Sequence, residues 1–504
     1  MDAALRVMEA AGARIEPEFI KIGKELYLAG HPTGMDEAAW ESIRRSQVIF
    51  KAPITTPQGT GYKSLNVTIR TALGLFANLR PVKALNPYIE THYPDMDIVI
   101  VRENEEDLYA GIEHRQTVDT TQSLKLITRP GSERIIRYAF EYARTYNRRK
   151  VTCMIKDNIM KISDGLFHSI FDEIAAEYPE IESNQQIIDI GTARVATAPE
   201  RYDVIVTTNL YGDIISDVVA EVSGSVGMAG SANIGVNAAM FEAIHGSAPD
   251  IAGKNMANPS GLLNAAILML AHIGQPDVAG LIHNAWLRTI EDGLHTADIY
   301  RPGHSDHLVG TREFADAVVE RVGQAPQRLG AWAIDSSRDT RITVPGYTRP
   351  VVTKQLVGSD LFIDYPGKTG AGAGGDESAA DAAERAAEVS ALGSAVEKIA
   401  AESGAGLALR WITNRGVKVY PQGFPDAAVT DHWRCRFVAA NPDAGASGAS
   451  RSATREETPV YAPVDHGSIT TLMNALTGAG YEVVKTENLY LFDGEPSFSP
   501  APGE

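Results

Sequence analysis

The chain has 504 residues, 44% of them hydrophobic, which suffices for two to four domains with substantial cores. A formal net charge of -18 argues against a nucleic-acid-binding face, which needs a basic excess, and no apolar run is long enough to span a bilayer. Neither nucleic acid nor membrane is therefore expected as a partner. Cys153 and Cys435 lie far apart without metal-ligand spacing and read as buried, reduced thiols of a cytoplasmic protein.

Residues 1–12 predict an amphipathic helix ending at Gly12, with none of the layout of a signal peptide and no strand before it. Short β-branched runs at 46–50, 97–101, 150–154, 186–190 and 203–208 then predict strands. Helical patterns at 66–79, 132–146 and 163–178 lie between them. This alternation predicts an α/β layered sheet with helices outside. Residues 261–294 read as largely helical, broken at Gly274-Gln275-Pro276, and the Pro-containing segment 345–350 marks a domain border. Beyond it, strands at 356–365, 407–420, 433–439 and 481–492 and helices at 384–403 and 468–478 predict a βαββαβ, ferredoxin-like α+β layer. Low-complexity stretches at 370–383 and 441–457 read as flexible loops. Gly370–Gly375 formally matches G-x-G-x-x-G, but Pro366-Gly367-Lys368-Thr369 intervene after the strand, which a tight dinucleotide-binding turn does not allow.

Four segments carry chemistry. The Gly-rich loop Thr55-Thr56-Pro57-Gln58-Gly59-Thr60-Gly61 leads into a helix with Asn66 and Arg70 one turn apart on one face, a setting that suits an anion. Ser64, Arg80 and Arg102 add a small hydrogen-bonder and two more guanidinium groups. Three such forks can neutralise a polycarboxylate that one could not. Arg102-Glu103-Asn104-Glu105-Glu106-Asp107-Leu108-Tyr109-Ala110-Gly111 directly follows a strand, although a charge run of this kind is usually a solvated loop. Asp213 and Asp217 follow another strand at i, i+4 spacing, and oxygen ligands without His or Cys point to Mg²⁺ or Mn²⁺. The long Gly/Pro-punctuated loop His245–Pro259 has the composition of a ligand-binding connection.

Taken jointly, residues 51–301 resemble the isocitrate dehydrogenases, a branch of the metal-dependent β-decarboxylating dehydrogenases that includes isopropylmalate dehydrogenase. The tail segments Ile412-Thr413-Asn414-Arg415-Gly416, Val419-Tyr420-Pro421, Asp431-His432-Trp433-Arg434-Cys435-Arg436-Phe437 and Phe492-Asp493-Gly494-Glu495-Pro496 resemble the long bacterial form with an extra C-terminal domain. The resemblance implies the layered fold of that family rather than a classical Rossmann domain. It implies a large cofactor-binding domain from residues 1–75 and 224–345, a small substrate, metal and dimerisation domain at 76–223, and a C-terminal domain at 351–504.

It also implies roles. Ser64 and Asn66 hold the arm that distinguishes isocitrate, Arg70, Arg80 and Arg102 clamp its other carboxylates, and Lys51 assists binding. Asp213 and Asp217, with Asp189 of a second subunit, hold Mg²⁺ or Mn²⁺. Lys156, also expected across a homodimer with shared active sites, assists proton removal, and Tyr109 protonates the enol left by decarboxylation. Thr56, Asn158, Glu242, His245, Gly246, Ser247, Ala248, Asp250, Ile251 and Asn258 contact the cofactor. A carboxylate at Asp250 can accept from the adenosine ribose of NAD and would repel the extra phosphate of NADP, so NAD is the expected cofactor, with Arg301 as a counter-signal. Family members open with a strand and a Gly-Asp-Gly-Ile-Gly loop that this sequence lacks, and a truncated start is the expectation. The expected reaction is oxidative decarboxylation of isocitrate to 2-oxoglutarate in the tricarboxylic acid cycle. An NADP-linked enzyme, another β-decarboxylating 2-hydroxy-acid dehydrogenase and a non-catalytic regulatory subunit remain as alternatives.

Overall fold

A computed structural model describes residues 1–54, 64–332, 341–367, 379–424, 427–440 and 461–500. Two compact units emerge, one formed by Met1–Ala110 with Lys125–Tyr347, the other by Gly111–Leu124 with Thr348–Glu504. The first opens with α1 (Asp2–Ala10), α2 (Lys24–Leu28) and α3 (Glu37–Ser46), then β1 (Val48–Lys51), α4 (Leu65–Ala72), β2 (Ala77–Lys83) and β3 (Asp97–Glu103). After a single 3-10 turn, Leu108–Ala110, the chain enters the second unit as the hairpin β4 (Glu113–Arg115) and β5 (Thr121–Ser123). It returns through α5 (Arg129–Thr145), β6 (Lys150–Ile155), α6 (Ser163–Ala175), β7 (Glu182–Ile187), α7 (Ile188–Thr197), β8 (Val204–Thr207) and α8 (Asn209–Val222). The first unit ends with β9 (Gly230–Ile234), β10 (Ala239–Ala243), α9 (Ser260–His272), α10 (Pro276–Glu291), β11 (Leu294–His295), β12 (His307–Leu308) and α11 (Thr311–Glu320).

Its central sheet is mixed, in the order β1-β10-β9-β2-β3-β8-β6-β7. Strand alternation divides its side chains between two cores. Val99 and Val101 join Val151, Cys153, Val204 and Val206 under α5, α6, α9 and α10. Ile98, Ile100, Met154 and Ile205 face the other way, against Ile215 and Val219 of α8. A sheet covered on both faces reads as continuous apolar runs, which is why these strands are evident in the sequence.

Two expected boundaries differ. The helix predicted at 66–79 stops at Ala72: Gly74 takes the left-handed conformation (φ 62) that ends a helix, and Ala77–Leu79 begin β2. The strand predicted at 186–190 is β7, ending at Ile187, and α7 starts at Ile188, so the apolar run crosses from strand to helix without a change in hydrophobicity.

The second unit continues with β13 (Lys354–Asp364), α12 (Ala379–Glu402), β14 (Leu407–Asn414), β15 (Val417–Tyr420), β16 (His432–Ala439), α13 (His466–Gly478), β17 (Glu482–Phe492) and β18 (Glu495–Pro496). The order β15-β14-β16-β13-β17-β18 contains the antiparallel βαββαβ layer that the sequence predicts. Leu361, Ile363, Leu407, Ile412, Cys435 and Phe437 pack under Leu392, Val396 and Leu472 of its two helices. The β4–β5 hairpin is pinned in this unit by buried Asp431, which accepts from Thr117 Oγ1, from the Asp119 backbone N–H at 3.0 Å and from Thr120 Oγ1 at 3.2 Å. The expected loop at 441–457 and the Gly370–Gly375 motif lie outside the described residues, and 379–383 open α12. Both cysteines are free and buried. No helix among the described residues is long and apolar enough to cross a membrane.

Candidate active site

Antiparallel β2 and β3 bring Arg80 and Arg102 to the same part of the sheet, with Asn78 registered opposite Arg102. Both guanidinium groups are buried and converge on Asp213 in the first turns of α8. Arg80 Nη2 lies 3.3 Å from Asp213 Oδ1, the oxygen that Arg102 Nη1 also contacts, and Arg80 Nη1 lies 3.8 Å from Asp217. Arg102 further donates to the Asn209 carbonyl at 2.8 Å and to Asn209 Oδ1 at 2.8 Å, which ties it to the start of α8. A Cβ on Gly212 would stand 2.4 Å from Arg102 Cγ, so this close approach of helix and arginine requires glycine. Tyr109, on the 3-10 turn, donates its hydroxyl to Asp213 Oδ2 at 2.5 Å, and its ring lies 4.9 Å from the Arg102 guanidinium carbon.

These contacts set the protonation states. Burial opposes ionisation of Asp213, but Arg102, Arg80 and the Tyr109 hydroxyl outweigh it and hold the carboxyl below its usual value. Asp217 is raised, because burial exceeds the help from Arg80. Arg102 is lowered to about 10 by burial and by neighbouring Arg80, and Tyr109 is raised by burial.

Arg70, in the last turn of α4, is buried against Glu242 of β10 at 3.0 Å, and Lys51 of β1 meets the other Glu242 oxygen at 2.7 Å. Burial alone would raise Glu242, yet these two cations lower it to about 2. Glu242 is therefore an internal counterion for two expected substrate cations. On the same helix, Asn66 Oδ1 and Arg70 Nε are buried without a hydrogen-bond partner among the described residues, an arrangement that is costly unless a polar ligand meets these atoms. Ser64 is the N-cap of α4, and Thr56 lies outside the described residues.

Lys156 and Asp189 form a separate pair. Lys156 Nζ, just beyond β6, lies 2.9 Å from Asp189 in the first turn of α7, and that lysine holds the exposed Asp189 below its usual value. The Lys156 backbone N–H donates to buried Asp164 at 2.7 Å, whose other oxygen pairs with Lys125 at 2.6 Å. Asn158 is exposed in the adjoining turn. Among the described residues no three His, Cys, Asp or Glu side chains cluster as a metal site, so one chain offers Asp213 and Asp217 together and Asp189 apart.

The loop from His245 to Asn258 contains a 3-10 turn, Pro249–Ile251, entered through Ala248 in the left-handed region (φ 41). Gly246, Ser247, Ala248 and Asp250 are exposed, His245 and Ile251 are half-buried, and His245 Nδ1 lies 2.9 Å from the Gly246 carbonyl. Asn258 is buried: its Nδ2 donates to Asp298 at 2.9 Å and its Oδ1 accepts from the Ser260 N–H, so it anchors the loop to α9.

Residues 1–318 match the family described as isocitrate/isopropylmalate dehydrogenase, and residues 354–504 match the bacterial isocitrate dehydrogenase C-terminal domain. The chain belongs to the isocitrate/isopropylmalate dehydrogenase family, in its long bacterial form. A Rickettsia bellii relative named isocitrate dehydrogenase [NADP] is 50% identical over 100% of this chain and 96% of its own length. A Thermus thermophilus relative of the same name is 38% identical over 100% of this chain and 93% of its own. A crystal structure of a Thermus thermophilus protein superposes with a TM-score of 0.84 at 36% identity, covering 100% of this chain and 93% of that one.

These relatives overturn the expectation of an NAD-preferring enzyme. Asp250 is exposed, and the repulsion between a solvent-exposed carboxylate and a phosphate is screened by water and salt, so this one position does not decide the cofactor. Arg301, the counter-signal, is half-exposed, 3.5 Å from Glu90.

Several site residues escape sequence reasoning. Glu103, Asn104 and Asp107, within a run that reads as a solvated loop, are all buried, and so are Asn78, Asn233 and Asp164. A single buried polar residue leaves no periodic signal. Only the position of the charge run directly after an apolar strand hints at its burial.

Proposed function

We propose that this protein oxidises isocitrate with NADP and decarboxylates the product to 2-oxoglutarate and CO₂, a step of the tricarboxylic acid cycle. The observation that carries this reading is the set of three buried arginines, Arg70, Arg80 and Arg102, beside Asn66 Oδ1 and Arg70 Nε, which have no hydrogen-bond partner among the described residues. A small, multiply charged anion is the ligand such a set suits.

Asp213 and Asp217, one helical turn apart and offering only oxygen donors, fit half of a site for Mg²⁺ or Mn²⁺, with Asp189 of a second copy completing it. A hard divalent cation supplies Lewis-acid polarisation of the substrate hydroxyl and charge stabilisation during decarboxylation. NADP, when bound, would supply the two-electron acceptor for the hydride that leaves the substrate carbon. Lys156 of a second copy assists removal of the hydroxyl proton, the three arginines orient the carboxylates, and Tyr109 returns a proton to the carbon that loses CO₂. Burial, which keeps Tyr109 protonated, suits it to that donation. Exposed Ile159, Ile190 and Ile214 flank Lys156, Asp189 and Asp213, an apolar setting that favours a homodimer with active sites shared between copies. Arg301 is the candidate contact for the NADP 2′-phosphate.

Steady-state turnover with Mg²⁺ tests the reading. Isocitrate oxidation that favours NADP, matched by CO₂ release, is expected; turnover of isopropylmalate in preference to isocitrate, or of neither, overturns it.

A further inference from the structure

We propose that Asn233, in β9, is a positioning residue that couples two of the substrate arginines, Arg70 and Arg80. The inference rests on the isocitrate reading. Asn233 is fully buried and uses its whole hydrogen-bonding capacity. Its Nδ2 donates to Glu242 Oε1 at 3.0 Å and to the Met240 carbonyl at 3.2 Å. Its Oδ1 accepts from Asn78 Nδ2 at 2.8 Å and from Asn104 Nδ2 at 3.1 Å. From these partners the chain of contacts reaches both cations. Glu242 Oε1 also accepts from Arg70 Nη2 at 3.0 Å, and Asn78 Oδ1 accepts from Arg80 Nε at 2.6 Å.

The register explains how one amide does this. Asn233 stands opposite both Asn78 of β2 and Met240 of β10, and two residues along β10 from Met240 Glu242 faces the same side of the sheet. The orientation of the Asn233 amide is fixed by its neighbours: a flip would set its NH₂ against two NH₂ donors and its oxygen against a carboxylate and a carbonyl. Arg70 comes from a helix and Arg80 from a strand, and each guanidinium sits at the end of a flexible stem. A shared buried acceptor–donor node holds both in place before substrate arrives, which is preorganisation.

Asp at this position is isosteric and can still accept from Asn78 and Asn104, but it sets a second carboxylate against Glu242 and ends the link to Arg70. Asn233→Asp should raise KM for isocitrate roughly 10–100-fold, the scale of one buried charged hydrogen bond. KM for NADP should hold within about threefold and kcat should change less than KM(isocitrate). Asn233→Ser, which is smaller and cannot span both sides, provides a second variant should the first fail to fold. In double-mutant cycles, the effect of either substitution on KM(isocitrate) should shrink when Arg70→Lys or Arg80→Lys is already present. Unchanged KM(isocitrate), additive cycles, or equal loss in both KM values and kcat would overturn the proposal. Wild-type protein is the control: if it fails to oxidise isocitrate, the functional reading falls, whereas wild-type turnover with indifferent variants sinks this inference alone.

Discussion

The Tyr109 hydroxyl and Asp213 share a 2.5 Å hydrogen bond, while the other Asp213 oxygen faces Arg80 and Arg102. The expected proton donor, metal ligand and substrate clamps therefore lock one another, although they come from a 3-10 turn, a helix and two strands. Tyr109→Phe removes the proton and keeps the ring over Arg102. It should lower kcat by about 10²–10⁴-fold, the usual contribution of a positioned acid, with KM for isocitrate changed only a few-fold. Steady-state kinetics at saturating NADP and Mg²⁺ would check this.

Asp164 holds the backbone at Lys156 and neutralises Lys125, which also lies over the Tyr211 ring at 4.4 Å. Removing one partner of a buried pair costs up to about 3–5 kcal/mol, and here Asp107, 3.8 Å from Lys125, is left as the only carboxylate paired with that lysine among the described residues. Asp164→Asn should therefore lower Tm markedly. Adding Lys125→Met, which also takes the 3.8 Å cation away from buried Asp107, should restore neither the stability nor turnover, because the anchor on Lys156 stays weakened. If the double variant is fully active, Asp164 has no part in placing Lys156.

Glu103 accepts N–H bonds from Glu105 and Glu106, yet burial raises its carboxyl to about 8. In the unfolded chain it titrates near its ordinary value of 4.5, so the folded state binds the extra proton between these values. The stability it contributes is complete below about pH 4.5 and is lost as pH rises through about 8. Thermal melts of wild type and Glu103→Gln should converge or cross in favour of the variant between about pH 5 and pH 9. Parallel curves over that range would contradict the assignment.

Asp431 gathers three donors from the β4–β5 hairpin. Asp431→Ala leaves those donors without their acceptor and should open residues 111–124 to proteolysis, with faster nicking there seen by mass spectrometry while α5 to α8 remain protected. An unchanged cleavage pattern would show that strand pairing alone holds the hairpin.

The two cores were legible because their strands are buried on both faces and their helices carry apolar stripes, as with Ile98–Val101 and with Ile135, Ile136 and Ala139 of α5. The βαββαβ tail was legible from its β-branched and aromatic strand runs, such as Leu407–Asn414 and His432–Ala439, alternating with helices that bury Leu392, Val396 and Leu472. Arg70, Arg80, Arg102 and Asp213 were found by residue type and spacing, and family resemblance gave them roles. The polar network behind them was not legible: Asn78, Asn104 and Asn233 are far apart in sequence, and only strand register makes them neighbours. Cofactor preference is not legible at Asp250, because the charge of one exposed carboxylate is screened by water and salt.

The chain passes between the two units at Ala110–Gly111, Leu124–Lys125 and Tyr347–Thr348. Cutting only the last of these junctions would not give two independent fragments. The C-terminal piece would still embrace a hairpin covalently owned by the N-terminal piece, with Asp431 as the clasp. The protein is thus threaded rather than strung, and a nicked molecule should travel as one particle until it is denatured. Residues 348–504 made alone would lack the hairpin their buried aspartate is built to hold.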